Sequence, residues 1–380
     1  MSNHERISVK KGFSQKEDST AALHELKGMI EQPGISGILL FCSTNYDLNS
    51  LGPAIKSAFN CPVIGCTTAG EISPLGYPEG TISGVSISSP ELSVKTFLIS
   101  DLQGFDMQTA ERLSKEVKAV VAEKTGGSGK SSCFGFLLID GLSVKEETVV
   151  AYLSGSIGNM PIIGGSAGDN LKFKETFVYY DGAFRPGAAV FSVFCTSLPF
   201  KTFKTQHFIP DNESKIVITG AIPEKRIVTE INGKPAAQEY ARFVGISTDK
   251  LSSMIFSENP VMLKIGGEYY VRSIQKVNED GSLTFYCAID EGLVLTLAKG
   301  VDIIENLTDT IEDIKKSIGT PQLIIGCECI LRRLELIEKG LTAQAAKIMS
   351  ENNVIGFHTY GEQFNSVHVN QTLTGVAIGA

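Results

Sequence analysis

The chain has no tryptophan and only 5 histidines in 380 residues. It also lacks an excess of positive charge: 34 Lys and Arg stand against 42 Asp and Glu, a formal net charge of −8. The basic pairs Lys10-Lys11, Lys315-Lys316 and Arg332-Arg333 are short and scattered. Nucleic-acid surfaces need clustered Lys and Arg, so this balance argues against a nucleic-acid partner. No apolar run approaches the ~18 residues of a membrane span. The start, Met1 to Arg6, lacks the apolar stretch of a signal peptide. The expectation is a cytoplasmic protein with no membrane partner.

Metal-binding spacing is missing as well. The eight cysteines, at 42, 61, 66, 133, 195, 287, 327 and 329, contain no paired CxxC. Most sit inside apolar runs, where a free thiol behaves as a small buried hydrophobe, and cytoplasmic thiols stay reduced. No His-x-x-x-His or His-Glu-x-x-His occurs. His4 lies in a frayed terminus, His24 on the solvated side of a helical stretch from Ala21 to Ile30, and His207 in a strand-rich block without an acidic neighbour at ligand spacing. His358 and His368 flank a turn and its following strand, and could face one cavity.

What is present is enough for a real core: apolar residues make up 42% and charged residues 20%. The length corresponds to two or three domains at roughly 100–200 residues each. One pattern recurs three times. Ile38-Leu39-Leu40-Phe41 leads to a helical stretch from Leu51 to Phe59, then to Val63-Ile64-Gly65 and Cys66-Thr67-Thr68-Ala69-Gly70-Glu71. Phe136-Leu137-Leu138-Ile139 leads to a helix from Lys145 to about Leu153, then to Ile162-Ile163-Gly164-Gly165-Ser166-Ala167-Gly168-Asp169. Leu323-Ile324-Ile325-Gly326 leads to a helix from Leu331 to Met349, then to Val354-Ile355-Gly356-Phe357-His358-Thr359-Tyr360-Gly361-Glu362. Each copy is strand, helix, strand and a turn closing on Gly-acid, which reads as a parallel βαβ unit. Strand-like text follows each turn, with hairpins at Tyr180-Asp181-Gly182 and Asn278-Glu279-Asp280-Gly281. The fold class is α/β, with mixed sheets built from repeated strand-helix-strand units in two related domains. Turn-rich text at 220–235 sets the divisions: a lead-in over 1–34, one domain over 35–228 and another over 229–380. Thr125 to Lys130 forms a second flexible link.

Two catalytic-looking motifs fail on context. Ser128-Gly129-Lys130-Ser131 hints at a phosphate loop, but Lys124 stands where Gly is needed and the helix precedes the strand. Gly164-Gly165-Ser166-Ala167-Gly168 matches a nucleophile elbow, but the text after it leads into a strand, where the elbow needs a helix. A serine hydrolase using Ser166 is therefore the rival reading, and the leading one has no catalytic residues. A Gly-acid turn commonly bonds its own backbone amides; the three acids could also converge if the copies pack pseudosymmetrically.

The Val63 to Ile72 and Ile163 to Asp169 segments resemble the signature turns of the N-terminal domain of the FIST sensory family. Gly326 to Arg332, Ile355 to Glu362, and His368-Val369-Asn370-Gln371-Thr372-Leu373 are similar to the motifs of that family's C-terminal domain. The match runs from about residue 35 to the end. The resemblance implies a sensory module for small ligands such as amino acids. With no output domain in the chain, it implies action on a separate histidine kinase or on a diguanylate cyclase or phosphodiesterase; a homodimer is a further partner option, and the oligomeric state stays open. Freestanding members include nitric-oxide sensors, which implies a non-covalent haem b with His358 as the first axial candidate and His368 as the second. A ligand pocket is expected at the strand ends by the turns, with Gly70, Glu71, Gly168, Asp169, Tyr360, Glu362 and Asn370 as ligand-binding candidates.

Overall fold

The computed structural model describes residues 6–126 and 132–380. His4 and the phosphate-loop look-alike at 128–131 lie outside the described residues, as does the link at 125–130 beyond Gly126.

Along the chain, the first copy comprises β1 (Ser8–Ser14), α1 (Ser19–Ile30), β2 (Ile35–Cys42), α2 (Leu48–Ala58), β3 (Val63–Thr67), β4 (Glu71–Ile72) and β5 (Ile82–Ser88). The second comprises β6 (Leu92–Ile99), α3 (Met107–Thr125), β7 (Ser132–Ile139), α4 (Glu146–Ile157), β8 (Ile162–Ser166), β9 (Val178–Tyr180), β10 (Ala183–Arg185) and β11 (Ala189–Thr196). The third opens with β12 (Phe200–Gln206) and is then interrupted. The inserted unit holds β13 (Phe208–Ile222), β14 (Ile227–Ile231), β15 (Lys234–Pro235), α5 (Ala236–Val244), α6 (Ser253–Glu258), β16 (Val261–Ile265), β17 (Glu268–Arg272), β18 (Ile274–Val277), β19 (Leu283–Phe285) and β20 (Val294–Gly300). The third copy resumes with α7 (Ile303–Ile318), β21 (Leu323–Cys329), α8 (Ile330–Glu338), α9 (Thr342–Glu351), β22 (Val354–Thr359), β23 (Glu362–Phe364), β24 (Val367–Val369) and β25 (Thr372–Ile378).

Three sheets share one strand order: β1-β5-β2-β3-β9-β10, β6-β11-β7-β8-β23-β24, and β12-β25-β21-β22-β4. In each, the two βαβ strands are parallel and the third strand of the copy returns antiparallel beside the first. The closing strand always comes from another copy. The second copy supplies β9 to the first sheet, the third supplies β23 to the second, and the first supplies β4 to the third. The exchange is cyclic, and it starts at the Gly-acid turns. The inserted unit forms its own sheet, β17-β16-β20-β13-β14-β19-β18. Residues 228 and 229, the boundary read from the sequence, are neighbours inside β14.

The apolar runs are continuous because these strands are buried on both faces. Leu39 and Phe41 of β2, Phe134, Phe136 and Leu138 of β7, and Leu323, Ile325 and Cys327 of β21 all enter one shared core. Phe41 and Phe357 stack there with ring centroids 4.7 Å apart. The alternate residues face the helices: Ile38 and Leu40 meet α1 and α2, and Leu137 and Ile139 meet α3 and α4. Each copy also places a glycine where its parallel strands approach most closely. A Cβ on Gly65, Gly164 or Gly356 would lie 2.5, 1.9 or 1.8 Å from a carbonyl oxygen of the neighbouring strand. That close approach explains the recurring Ile-Gly before each turn better than any ligand does.

Two expectations need correction. The single helix expected from Leu331 to Met349 is two, because Gly340 takes φ +65° and the Leu341 amide donates back to the Leu336 carbonyl. Gly at such a left-handed position ends a helix. Cys133 and Cys195, expected as reduced thiols, sit opposite each other on β7 and β11 and form a disulfide. The other six cysteines are free. Among the described residues, no helix is long and apolar enough to cross a membrane.

Candidate functional site

The three Gly-acid turns interlock by backbone hydrogen bonds. The Ala69 amide donates to the His358 carbonyl at 2.9 Å, and the His358 amide to Gly70 at 2.7 Å. The Gly168 amide donates to Thr67 at 3.0 Å, and the Ser166 amide to Gly361 at 2.9 Å. The sequence-predicted residues are therefore gathered, as pseudosymmetric packing would require, but they do different things.

Glu71 and Glu362 each turn inward to a threonine ten positions on. Glu71 accepts from the Thr68 and Thr81 hydroxyls, each at 2.6 Å, and Glu362 from the Thr372 hydroxyl at 2.6 Å and amide at 3.1 Å. Both are fully buried. Burial pushes Glu71 up to about 7, against the pull of its threonine hydrogen bonds, and pushes Glu362 well above the carboxylate range. Asn370 accepts from the Ser273 amide at 3.3 Å, which ties it to the inserted unit. Glu71 and Asn370 are committed to bracing the fold, whereas Glu362 is buried with one carboxylate oxygen, Oε1, left without a hydrogen-bond partner.

The shift at Glu71 carries a pH prediction. A carboxyl whose folded pKa is raised is protonated in the native state while the unfolded state ionises. Its stabilising term is full below the ordinary value near 4.5 and is lost as pH rises towards about 7. Glu71→Gln should therefore flatten the decline of stability between pH 5 and 8. Urea unfolding at both ends of that range tests it; parallel pH profiles for the two proteins would refute the assignment.

Asp169 and Tyr360 form the central contact between copies. The Tyr360 hydroxyl donates to Asp169 Oδ1, and receives the Leu171 amide at 2.8 Å. Asp169 also accepts from the amides of Phe173, Lys174 and Glu175 at 2.9, 2.6 and 3.1 Å. These bonds hold a loop in which Asn170, Leu171 and Phe173 have φ of 58°, 63° and 49°. Phe173 stacks on Tyr360 at 4.9 Å, with Tyr286 beside both. Gly70 and Gly168 are the points of closest approach here: a Cβ on Gly168 would lie 2.6 Å from the Ala69 nitrogen.

A buried chain of charged and polar groups leads away from His358. Its Nε2 is 3.3 Å from Glu328 Oε2, and the Tyr77 ring stands edge-on at 4.7 Å. Arg332 Nε donates to Glu328 at 3.2 Å, and Arg332 Nη1 lies 2.9 Å from His207 Nδ1. His207 Nε2 lies 2.7 Å from Glu335, whose other oxygen meets Lys339 at 2.6 Å. Burial pushes Glu328 up, but the His358 hydrogen bond and Arg332 outweigh it and hold the carboxyl down at about 2. Burial lowers both His358 and His207. Both are neutral imidazoles at pH 7; His207 accepts at Nδ1 from Arg332 and donates at Nε2 to Glu335. Arg333 runs alongside, donating to the Ala69 carbonyl at 2.7 Å and pairing with Glu79. Sequence reasoning missed Tyr77 and Glu79, which are remote in the chain, and Glu335, which stands three residues after Arg332 on α8. Glu328 and Arg332 stand four residues apart across the junction of β21 and α8, an acid and a base inside an otherwise apolar segment, and that was the available signal.

The FIST N domain matches residues 37–234, and the FIST C domain matches residues 236–365. The chain belongs to the FIST family. It is also 24% identical over 352 residues to an uncharacterized protein of Methanocaldococcus jannaschii, covering 83% of this chain and 67% of that one. The FIST domains point to a sensory role in signal transduction.

In this FIST chain the two histidines do not fit a haem ligand. His358 is fully buried; a Cβ on Gly70 would lie 3.2 Å from its Nδ1, and Glu328 faces its Nε2. His368 is equally buried, with Gln363 3.3 Å from Nδ1 and Gly361 packed against Cε1 and Nε2. Burial pushes it down to about 4. Neither imidazole presents a nitrogen to a space that a porphyrin could enter. Ser166 is also buried; its hydroxyl accepts from Gln363 Nε2 at 3.1 Å, and β8 leads into the Asp169 loop.

Proposed function

We propose that this FIST chain is a non-enzymatic sensor of a small zwitterionic metabolite, an amino acid being the simplest. The ligand would occupy a cleft of about 450 Å³ beyond the C-terminal ends of β2 and β8. Asp47, Asp169, Lys172, Lys174 and Glu175 line it. Lys172 and Lys174 suit a carboxylate, and Asp47 and Glu175 suit an ammonium. The sensed state would pass to a separate protein such as a histidine kinase, a diguanylate cyclase or a phosphodiesterase.

The observation that carries this reading is the Asp169 loop along the cleft wall. Three non-glycine residues in left-handed backbone within four positions cost of order 1–3 kcal/mol each. Such strain persists only where surroundings over-determine it, and here buried Asp169 and Tyr360 do so. A ligand that displaces the Lys172 contact to Asn45, 2.8 Å long, would act on that loop directly. Through Tyr360 the change reaches the third copy, which gives a ligand a way to shift populations of the whole chain. Haem has no part in this proposal, because His358 and His368 are closed.

A thermal-shift screen of amino acids followed by calorimetry tests it. One or more should raise the melting temperature, and the double variant Lys172→Ala, Lys174→Ala should weaken binding by about tenfold or more. No stabilisation by any amino acid, or unchanged affinity in the double variant, would sink the proposal.

A further inference from the structure

Four sheets leave eight outer strands, and proteins ordinarily protect such edges with shortness, charge, proline or bulges. Most edges here are protected. β4, β10 and β24 have three residues or fewer, β1 and β12 carry two lysines each, and β17 carries Glu268 and Arg272. β18 is four residues long with one lysine. β6 differs. It is eight residues long, contains one charge, Lys95, and pairs with β11 in unbroken register without a bulge.

A cleft of about 580 Å³ runs beside it. Every residue from Lys95 to Asp101 lines this cleft. Side chains of a strand alternate between faces, so a cleft lined by consecutive residues runs along the strand's edge. The opposite wall is one face of α3, with Thr109, Arg112, Leu113 and Glu116 at helical spacing. The equivalent space in the first copy is shut: at Gly12 of β1, where a Cβ would be 2.7 Å from Met29, α1 lies directly on the strand. α3 stands off β6, and the gap is open.

We propose that the groove between β6 and α3 takes an extended segment of a partner protein, which adds as a further strand to the second sheet. A row of outward N–H and C=O groups is matched by another strand, whose alternate side chains would meet Phe97 or Leu113. The strand direction, at roughly 3.3 Å per residue, gives room for about six to seven partner residues along 95–101. Asp101 is already committed, accepting from the Gln103 and Gly104 amides at 3.1 and 3.0 Å. Arg112 is the cation of the α3 wall; it forms no hydrogen bond or salt bridge among the described residues, and its charge is felt by Asp106 at the start of α3. The segment is therefore extended, apolar at alternate positions, and acidic opposite Arg112. This surface is independent of the amino-acid cleft.

The test uses the full chain and fluorescent nine-residue peptides of alternating valine and threonine with one central glutamate. Saturable micromolar binding is expected. Methylating every second backbone amide should abolish it in one register and spare it in the other, because only one set faces β6. Arg112→Glu should weaken binding about tenfold and favour a lysine-bearing peptide instead. No saturation by about 1 mM would overturn the proposal, as would equal binding in both methylated registers or indifference to Arg112→Glu. A chain that sediments as a dimer, excludes the peptide, and dissociates in Arg112→Glu would overturn it in favour of a second copy at this edge.

Discussion

Arg332→Ala is expected to cost about 3–5 kcal/mol of folding stability, enough to threaten the native state outright. Arg332 is the largest fully buried side chain, and Glu328, which it neutralises, is buried as well. Removing the guanidinium leaves a carboxylate in the interior with only neutral groups, His358 and the Tyr77 hydroxyl, beside it, and takes the donor from His207 Nδ1. Burying a charge without a partner is far more expensive than burying a pair. The pair itself need not be stabilising relative to apolar residues of the same shape. The double variant Arg332→Met, Glu328→Gln should therefore lose much less than the single change. Urea unfolding followed by circular dichroism measures both. A loss below about 1 kcal/mol in Arg332→Ala would mean that the chain from His358 to Lys339 is not held by charge.

The second large effect concerns connectivity. Residues 1–234 expressed alone should not fold cooperatively, and residues 235–380 expressed alone should not either. The first fragment would lack β23 and β24 to close the second sheet. It would also carry β4 and β12 without β25, β21 and β22 between them. The second fragment would lose two of the three walls of the shared core. Within the inserted unit, β13 pairs with β20, so that sheet is cut as well. Co-expressed fragments should associate and co-purify through a tag on either one, since each supplies the strand the other needs. Sharp, independent thermal transitions for the two separate fragments would show that the strand exchange is dispensable. The family's division into an N domain and a C domain would then be a division of folding units too.

The three repeats were legible because their physics is local. Strands buried on both faces read as short apolar runs, helices as spaced apolar positions, and the Ile-Gly before each turn as a close approach of backbones. The hairpin at Tyr180-Asp181-Gly182 was legible for the same reason, and so was solvent-facing His24. The split of α8 from α9 was not, because Leu331 to Met349 keeps helical spacing on both sides of one left-handed glycine. The pairing of Cys133 with Cys195 was not legible either: it depends on the register of β7 against β11, which apolar alternation does not specify to the residue.

For the site, the division is sharper. That Gly70-Glu71, Gly168-Asp169 and Gly361-Glu362 are equivalent turns, and that the chain carries FIST motifs, could be read from the order of residues alone. Their roles follow from how the copies pack. Glu71 and Glu362 bond within their own copies, whereas Asp169 bonds across to Tyr360, because the second turn alone feeds a strained loop beside a third-copy tyrosine. The fold also sets His358 against Glu328, and locks His207 between Arg332 and Glu335. His358 and Glu328 meet across the parallel pair β21–β22 within the third copy, whereas Asp169 with Tyr360 and Glu79 with Arg333 are contacts between copies, made where the strands are exchanged. Spacing along a sequence carries no record of which copy lends its strand to which.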